Sequence, residues 1–548
     1  MTILHKKYTN IAIVFAAAVL FIPFLGNHHL LDGYETIFAE AAREMLVTGN
    51  YLSPQINFEP MPDMPPLFIW MQAISMNIFG ISEFSARLPN ALAGIITLVL
   101  LFWLGQKFFS TRFGLFWVIA FAGSFLTSLY FKSGLAAPWN NLFIFLSIVS
   151  LIVHSSLSIN FYYQRLQMTF LAGVSLGLAM LTQGPLAAFI VLFSLATFMM
   201  VRRTWRLFST QEALLFSSSI LAIVIFWAFS QSILYGSSFV KDFFLNDVSV
   251  FLSLLTHKTY FYHWLIIIAG SFPASIFVIK ALRKFYSDNV VQNNFRVWMI
   301  ICLSIIFIFF SFIEVGSHHY LSFSYFPISF LAAYTLHKAS HRRVYFRRFI
   351  PRAALVIGGT ISFFFIAVPL TMKFKSPILE ALAHHVNNDF TYALLAAEVE
   401  WSGWEVIPAI LYLIAIVLFF KYFHTNIIKW SLILFFATIL VMQSFLLTIM
   451  PKIELQVQGA KIEFYKSVAH EQATIKTYGF TSHASLFYGN AQPTQAPKKP
   501  QADLIKNPVQ KNPTYLSTKV THKRRFEEDP DFEELYEKNG YVFYKKLK

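Results

Sequence analysis

Charge is scarce in this chain and cysteine is nearly absent. Only 13% of its 548 residues are Asp, Glu, Lys or Arg, about half the share of an ordinary soluble domain, which excludes a water-soluble globular protein. The single cysteine, Cys302, lies in an apolar run, so no disulfide forms within one chain and the compartment cannot be read from cysteine. No glycine-rich phosphate loop and no dinucleotide-binding pattern occurs, so nothing indicates a nucleotide site. The formal charge of +15 has no separate basic soluble domain behind it. Most basic residues sit in short loops between apolar runs, which argues against nucleic acid as a partner.

What the chain does have is apolar surface. Hydrophobic residues make up 56% of it, with 62 Phe among them, and mean hydropathy is +0.56. This is the composition of a polytopic membrane protein. About thirteen apolar spans are expected, at 11–26, 86–106, 113–131, 138–154, 167–182, 184–201, 213–235, 261–281, 297–313, 319–337, 350–371, 405–421 and 428–449. Alternate loops differ in charge. One set carries Lys107 and Arg112, Arg202 with Arg203 and Arg206, Arg342 to Arg348, and Lys421. The other set is mixed or acidic and includes Asp32 to Asp63. The positive-inside rule then puts the N-terminus in the cytoplasm and the long loops and C-terminal tail outside, in a plasma (inner) membrane. His5, Lys6 and Lys7 precede the first span and no small-residue cleavage site follows it, so an uncleaved first helix is expected.

After Pro451 the chain turns polar. Residues 1–450 are expected to form the membrane domain and 451–548 a small α/β domain on the outer face. Within the latter, strands are expected over Ala473 to Phe480 and Tyr541 to Lys546, helices over 459–469 and 530–538, and a loop over Gln492 to Pro500.

The stretch Asp32 to Pro66 carries the most information. Ile37, Phe38, Ala41, Ala42, Met45 and Leu46 recur at helical spacing, with Glu40, Arg43 and Glu44 on the opposite face. This predicts a short amphipathic helix lying on the membrane and ended by Gly49 and Asn50. Pro65 and Pro66 then open a second apolar helix, Leu67 to Phe79, too short to span comfortably.

Four sequence words here carry a resemblance: Tyr34-Glu35, Ala42-Arg43-Glu44-Met45-Leu46, Met64-Pro65-Pro66-Leu67 and Glu83-Phe84-Ser85-Ala86-Arg87-Leu88-Pro89. In this order they resemble the first outer loop of the GT-C membrane glycosyltransferases, the group that includes protein O-mannosyltransferases and lipid A aminoarabinose transferases. The resemblance implies a mainly α, GT-C-like fold with amphipathic helices in the first outer loop. It also implies transfer of a sugar from a polyprenyl-phosphate donor to a lipid, glycan or protein acceptor, within a setting of membrane lipids. Several positions depart from the family pattern. The family's leading Asp falls on Tyr34, its lysines on Met64, on Gln183 and in the stretch Glu314 to Ser317, and a second acid on Ala137. A catalytically degenerate relative with a lipid-binding or assembly role is therefore the alternative reading.

Such a transferase needs a carboxylate to accept a proton as the new bond forms, and cations or a metal to hold the leaving phosphate. Asp32 and Glu35, one helical turn apart, are the carboxylate candidates; otherwise they cap the amphipathic helix, as acids at an N-terminus commonly do. Lys132, which takes the place of a cation common in the family, is the foremost phosphate contact. Arg43, His257, His318, His319 and Tyr320 complete the candidate substrate contacts. Otherwise Arg43 belongs to a salt-bridged polar face with Glu40 and Glu44, and the histidines are interfacial. No cofactor is assigned, and a divalent metal at the phosphate stays open.

Overall fold

The computed structural model describes residues 3–61, 64–236, 262–283, 288–311, 318–341, 348–382, 389–493 and 513–547, with single positions between them. The chain opens with helix α1 (Ile3–Phe21), the first-loop helix α2 (Tyr34–Thr48), the short apolar helix α3 (Leu67–Phe79) and the long helix α4 (Glu83–Phe108). Local sequence sets these limits. Gly49 ends α2 in the left-handed region (φ 72°), donating its N–H to the Met45 carbonyl. Ser82 and Ser85 open α4 as a reciprocal cap.

Among the described residues, eight helices are long and apolar enough to cross a membrane. The apolar pair Tyr262–Gly270 and Ala274–Ala281, bent by 98° at the break that holds Pro273, is a broken span or a re-entrant loop. Shorter apolar helices, among them Thr111–Ala122 and Leu186–Arg202, fill the bundle. The expected span over 113–131 is two helices, Thr111–Ala122 and Thr127–Phe131. Gly105 and Gly114 let α4 and the helix after it touch backbone to backbone, since a Cβ on Gly105 would sit 2.5 Å from the Gly114 Cα.

The last long helix, Ile427–Glu471, runs 45 residues without a break, straight through Pro451. Two π turns interrupt its α geometry, Phe445–Ile449 and Leu455–Gly459. Pro451 has no N–H to give the carbonyl four residues back, which is that of Leu447. Asn27 takes that carbonyl instead, donating its side-chain amide at 3.2 Å. In the second π turn the Val457 carbonyl accepts the Tyr541 hydroxyl at 3.3 Å.

Four strands follow: β3 (Thr474–Tyr478), β4 (Thr514–Lys519), β5 (Phe532–Lys538) and β6 (Tyr541–Lys546), after the small first-loop pair β1 (Gln55–Ile56) and β2 (Glu59–Pro60). The larger sheet is ordered β3-β4-β6-β5, with β3 parallel to β4 and the other pairs antiparallel. The expected helix over 530–538 is strand β5. Asn539 and Gly540, both at positive φ (51° and 79°), form the tight turn that pairs it with β6. Most of the expected loop Gln492 to Pro500 lies outside the described residues.

The α2 helix is covered by protein on both faces. A hydrophobic core joins it to the tail: Ala39, Ala42 and Met45 pack with Ile69 and Met76 of α3 and with Phe464, Tyr488, Tyr515 and Phe543. Its other face is buried too, with Glu40, Arg43 and Glu44 each at most 1% exposed. First loop and tail thus occupy one end of the bundle.

From the loop charges we propose that this end faces outward. Cys302 is fully buried, so introduced thiols report without background. Leu52→Cys and Glu533→Cys, at exposed positions, are expected to react with a membrane-impermeant maleimide in intact cells, and Lys421→Cys is expected to stay protected. Labelling of Lys421→Cys alone would invert the orientation.

Candidate functional site

Where the chain leaves α1, its backbone folds over the start of α4. Gly33, at φ 119°, turns it into α2. That turn sends Asp32 and Glu35 to different partners.

Glu35 is 3% exposed and meets Arg87 of α4. The Arg87 Nε donates to Oε1 at 2.8 Å and one terminal nitrogen donates to Oε2 at 3.0 Å. The backbone N–H groups of Leu31 and Gly134 donate to the same carboxylate at 2.7 and 2.6 Å. Burial alone would push the Glu35 carboxyl up; the adjacent guanidinium outweighs it and holds the carboxyl below its usual range. The remaining Arg87 donors go to the carbonyls of Leu25, His28 and His29 at 2.7–2.9 Å. One buried pair therefore fastens the α1–α2 connection, α4 and the loop before the next span.

Asp32 faces the tail. Its Oδ1 accepts the Gly33 N–H at 3.1 Å and the Thr36 hydroxyl at 3.3 Å, while Gly33 itself is the N-cap of α2. Its Oδ2 pairs with Lys461 of the last long helix. Burial raises the Asp32 carboxyl and Lys461 lowers it, with a net downward shift. Asp32 is 13% exposed, more open than Glu35.

Beside Glu35 lies a narrow, partly open cavity of about 30 Å³. His28, Glu35, Lys132 and Gln443 supply its polar lining, and Phe24, Leu129, Leu446 and Met450 supply apolar walls. Lys132 donates to the Pro23 carbonyl at 2.9 Å. Burial pushes its ammonium down to about 8, so the side chain is poised to lose its charge just above neutrality unless an anion holds it. The side-chain nitrogen of Gln443 is buried and has no hydrogen-bond partner among the described residues. The structure thus places Glu35 and Lys132 around one cavity and sends Asp32 to a neighbouring ion pair.

The other expected contacts are elsewhere. Arg43 binds Glu40 at 2.7 Å through two nitrogens and reaches the Ala491 carbonyl at 2.8 Å and the Asn490 side chain at 3.3 Å. It joins α2 to the tail, on the salt-bridged face the sequence suggested, but under cover. Burial, then the nearby Glu40, push the Glu44 carboxyl up to about 8. His257 lies outside the described residues. His318, His319 and Tyr320 open a 3-10 turn, His318–Ser324, with their side chains outside the described set. Tyr34 is 49% exposed and Met64 is 7% exposed. Among the described residues no three His, Cys, Asp or Glu side chains gather to hold a metal.

Sequence reasoning passed over Arg87, Lys461 and Gln443. Arg87 carried a signal, an arginine at the start of an apolar span, where a charge needs a stated partner. Lys461 and Gln443 carried none.

The sequence profile of a family described as dolichyl-phosphate-mannose-protein mannosyltransferase matches residues 63–229. That match begins beyond Asp32 and Glu35 and takes in Arg87 and Lys132. The fold is similar to a crystal structure of ArnT from Cupriavidus metallidurans bound to undecaprenyl phosphate, with TM-score 0.76 and 17% identity over 98% of this chain and 97% of that one. The apo form of the same protein gives TM-score 0.74 at 16% identity. Among curated sequences, an uncharacterized protein of Aquifex aeolicus is 26% identical over 303 residues, 54% of this chain and 66% of its own length. An undecaprenyl phosphate-alpha-4-amino-4-deoxy-L-arabinose arabinosyl transferase of Pectobacterium atrosepticum is 23% identical over 340 residues, 61% of this chain and 59% of its own. The matched stretch is thus under two thirds of each relative's length. The expected GT-C-like fold, with a small C-terminal sheet unit, is the fold this chain has.

The Glu35–Arg87 pair generates a stability prediction. Arg87→Met leaves a buried carboxylate without its partner, a loss expected to cost about 3–5 kcal/mol. Adding Glu35→Gln to Arg87→Met removes the stranded charge and is expected to restore part of that loss. Thermal unfolding of the detergent-solubilised protein reads both. Strictly additive effects would show that the two side chains are not energetically paired.

Proposed function

We propose that this chain, a multi-pass membrane protein of GT-C fold, transfers a sugar from a polyprenyl-phosphate donor to an acceptor on the outer face of the membrane. The observation that carries this reading is the cavity under the first-loop helix. It brings a buried ammonium, Lys132, and the Gln443 amide nitrogen, without a partner among the described residues, to an apolar-walled space beside a carboxylate. That is the donor set a lipid phosphate takes: charge and hydrogen bonds for the head, apolar wall for the chain. The fold similarity along nearly the whole length to a protein crystallised with undecaprenyl phosphate supports the same lipid class. We take a lipid as the acceptor class, in keeping with the arabinosyl transferase relatives, over a glycan or a protein. Residues 1–450 would carry the transfer and 451–548 would cover the first loop.

In this reading each residue has a task set by its surroundings. Lys132 and Gln443 neutralise and orient the phosphate that leaves with the polyprenol. Glu35, with every oxygen occupied by Arg87 and by backbone N–H groups, is a positioning residue that fixes the cavity floor. Asp32, the more open carboxylate, accepts the acceptor's proton when its contact with Lys461 loosens. Losing such a base typically lowers rate by about 10²–10⁴. Purified protein supplied with an undecaprenyl-phosphate sugar should therefore transfer it, and Asp32→Asn should remove that activity.

The positions Tyr34 and Met64 favour the second reading, a relative that binds the lipid without turning it over. Turnover absent from the wild type and created by Tyr34→Asp with Met64→Lys would establish it. Donor-lipid binding separates the phosphate role from the chemistry. The Lys132 charge is present below about 8 and lost above it, so binding of undecaprenyl phosphate to the free protein should weaken as pH rises through 8. Lys132→Arg, charged throughout, should abolish that alkaline decline. A pH-independent wild type would remove Lys132 from the phosphate contact.

A further inference from the structure

At the end of the bundle away from the first loop, two helices begin side by side. The helix Thr111–Ala122 starts there after Ser110, and the last long helix starts there after Asn426. Both have capped N-termini, with Ser110 accepting the Phe113 N–H at 3.1 Å and Asn426 accepting the Lys429 N–H at 3.0 Å. Between them runs an open groove of about 710 Å³. Arg112 and Lys429, both exposed, stand on it within the first turns of these helices. Phe116, Leu432, Ile433 and Phe436 form its apolar wall.

Three features coincide here. Two cations face the groove and no acid lines it among the described residues. Two helix N-termini add positive potential from the same direction. The wall continues along the helices with exposed apolar surface, Phe436 being 51% exposed. An anionic head with attached hydrocarbon matches all three, whereas a free anion would leave the apolar wall unused and a zwitterionic lipid would leave the cations uncompensated. We propose that this groove binds an anionic phospholipid of the leaflet at this end of the bundle, with its phosphate between Arg112 and Lys429 and an acyl chain along Leu432 and Phe436. The proposal does not depend on the transfer reaction, since none of these residues borders the Lys132 cavity.

The test uses the full-length chain in detergent, titrated with dioleoylphosphatidylglycerol or dioleoylphosphatidylcholine and read by native mass spectrometry. The wild type is expected to prefer the anionic lipid. Arg112→Gln with Lys429→Gln should weaken that binding roughly tenfold or more, because each cation near a lipid head contributes appreciably. Both positions are exposed, so the unfolding midpoint should not move. Leu432→Trp, which fills the groove and leaves both cations, should also lose the lipid. Equal binding of the two lipids, an unchanged double variant, or displacement of the lipid by millimolar sodium phosphate would each overturn the proposal.

Discussion

A buried carboxylate has to be answered, and in this protein the answer to Glu35 organises a whole end of the molecule. Arg87 comes from a membrane helix, Gly134 from the loop before another, and Leu31 from the connection between α1 and α2. Removing two charges from water is expensive, and the cost is recovered only when geometry and hydrogen bonds are complete. Here they are complete on both sides, because the guanidinium also spends its donors on three carbonyls. The pair is therefore a poor place to look for a mobile proton and a good place to look for register. It fixes where the first-loop helix starts, and so fixes one wall of the cavity that Lys132 enters.

A second set of polar contacts closes the same region from outside. Lys461 meets Asp32, Arg43 reaches the Ala491 carbonyl, and the Tyr488 hydroxyl bridges the Leu30 N–H and Glu83 at 2.7 and 3.1 Å. The tail is thus built into the first loop through a shared apolar core. Its aromatic residues, Phe464 stacked on Phe543 at 4.2 Å among them, supply the buried area that a small mixed sheet lacks by itself.

The sequence made the helical framework readable because long apolar runs and prolines leave little freedom. The helix α3, from Leu67 to Phe79, has the ends its flanking Pro66 and Gly80 imply. The GT-C words before residue 90 pointed to the fold. Three things were hidden, each for a physical reason. An amphipathic pattern says which residues share a face but not what covers the second face, so Glu40, Arg43 and Glu44 read as exposed and are buried. Glu533 to Lys538 alternate too weakly to announce a strand, and only the Asn539-Gly540 pair after them did so. The partner of Glu35 lies 52 residues away, beyond any local pattern, although the charge on Arg87 in an apolar setting was itself a clue. The candidate site was legible as a set of residues and not as a set of contacts: Asp32 and Glu35 looked like a couple, and the fold separates them.

The two π turns of the last helix have a further consequence. Each carries one residue more than an α turn would, and so rotates everything after it by roughly 100° relative to an ideal helix. The half that packs among membrane helices and the half that packs under the sheet therefore follow different angular phases along one continuous rod. Apolar stripes drawn by a single helical wheel across Pro451 will misplace the residues of one half. A one-residue insertion or deletion between Phe445 and Gly459 would leave the membrane half seated and turn Lys461 away from Asp32. The spacing of these few residues is thus a phase setting, and it is what keeps the tail facing the loop.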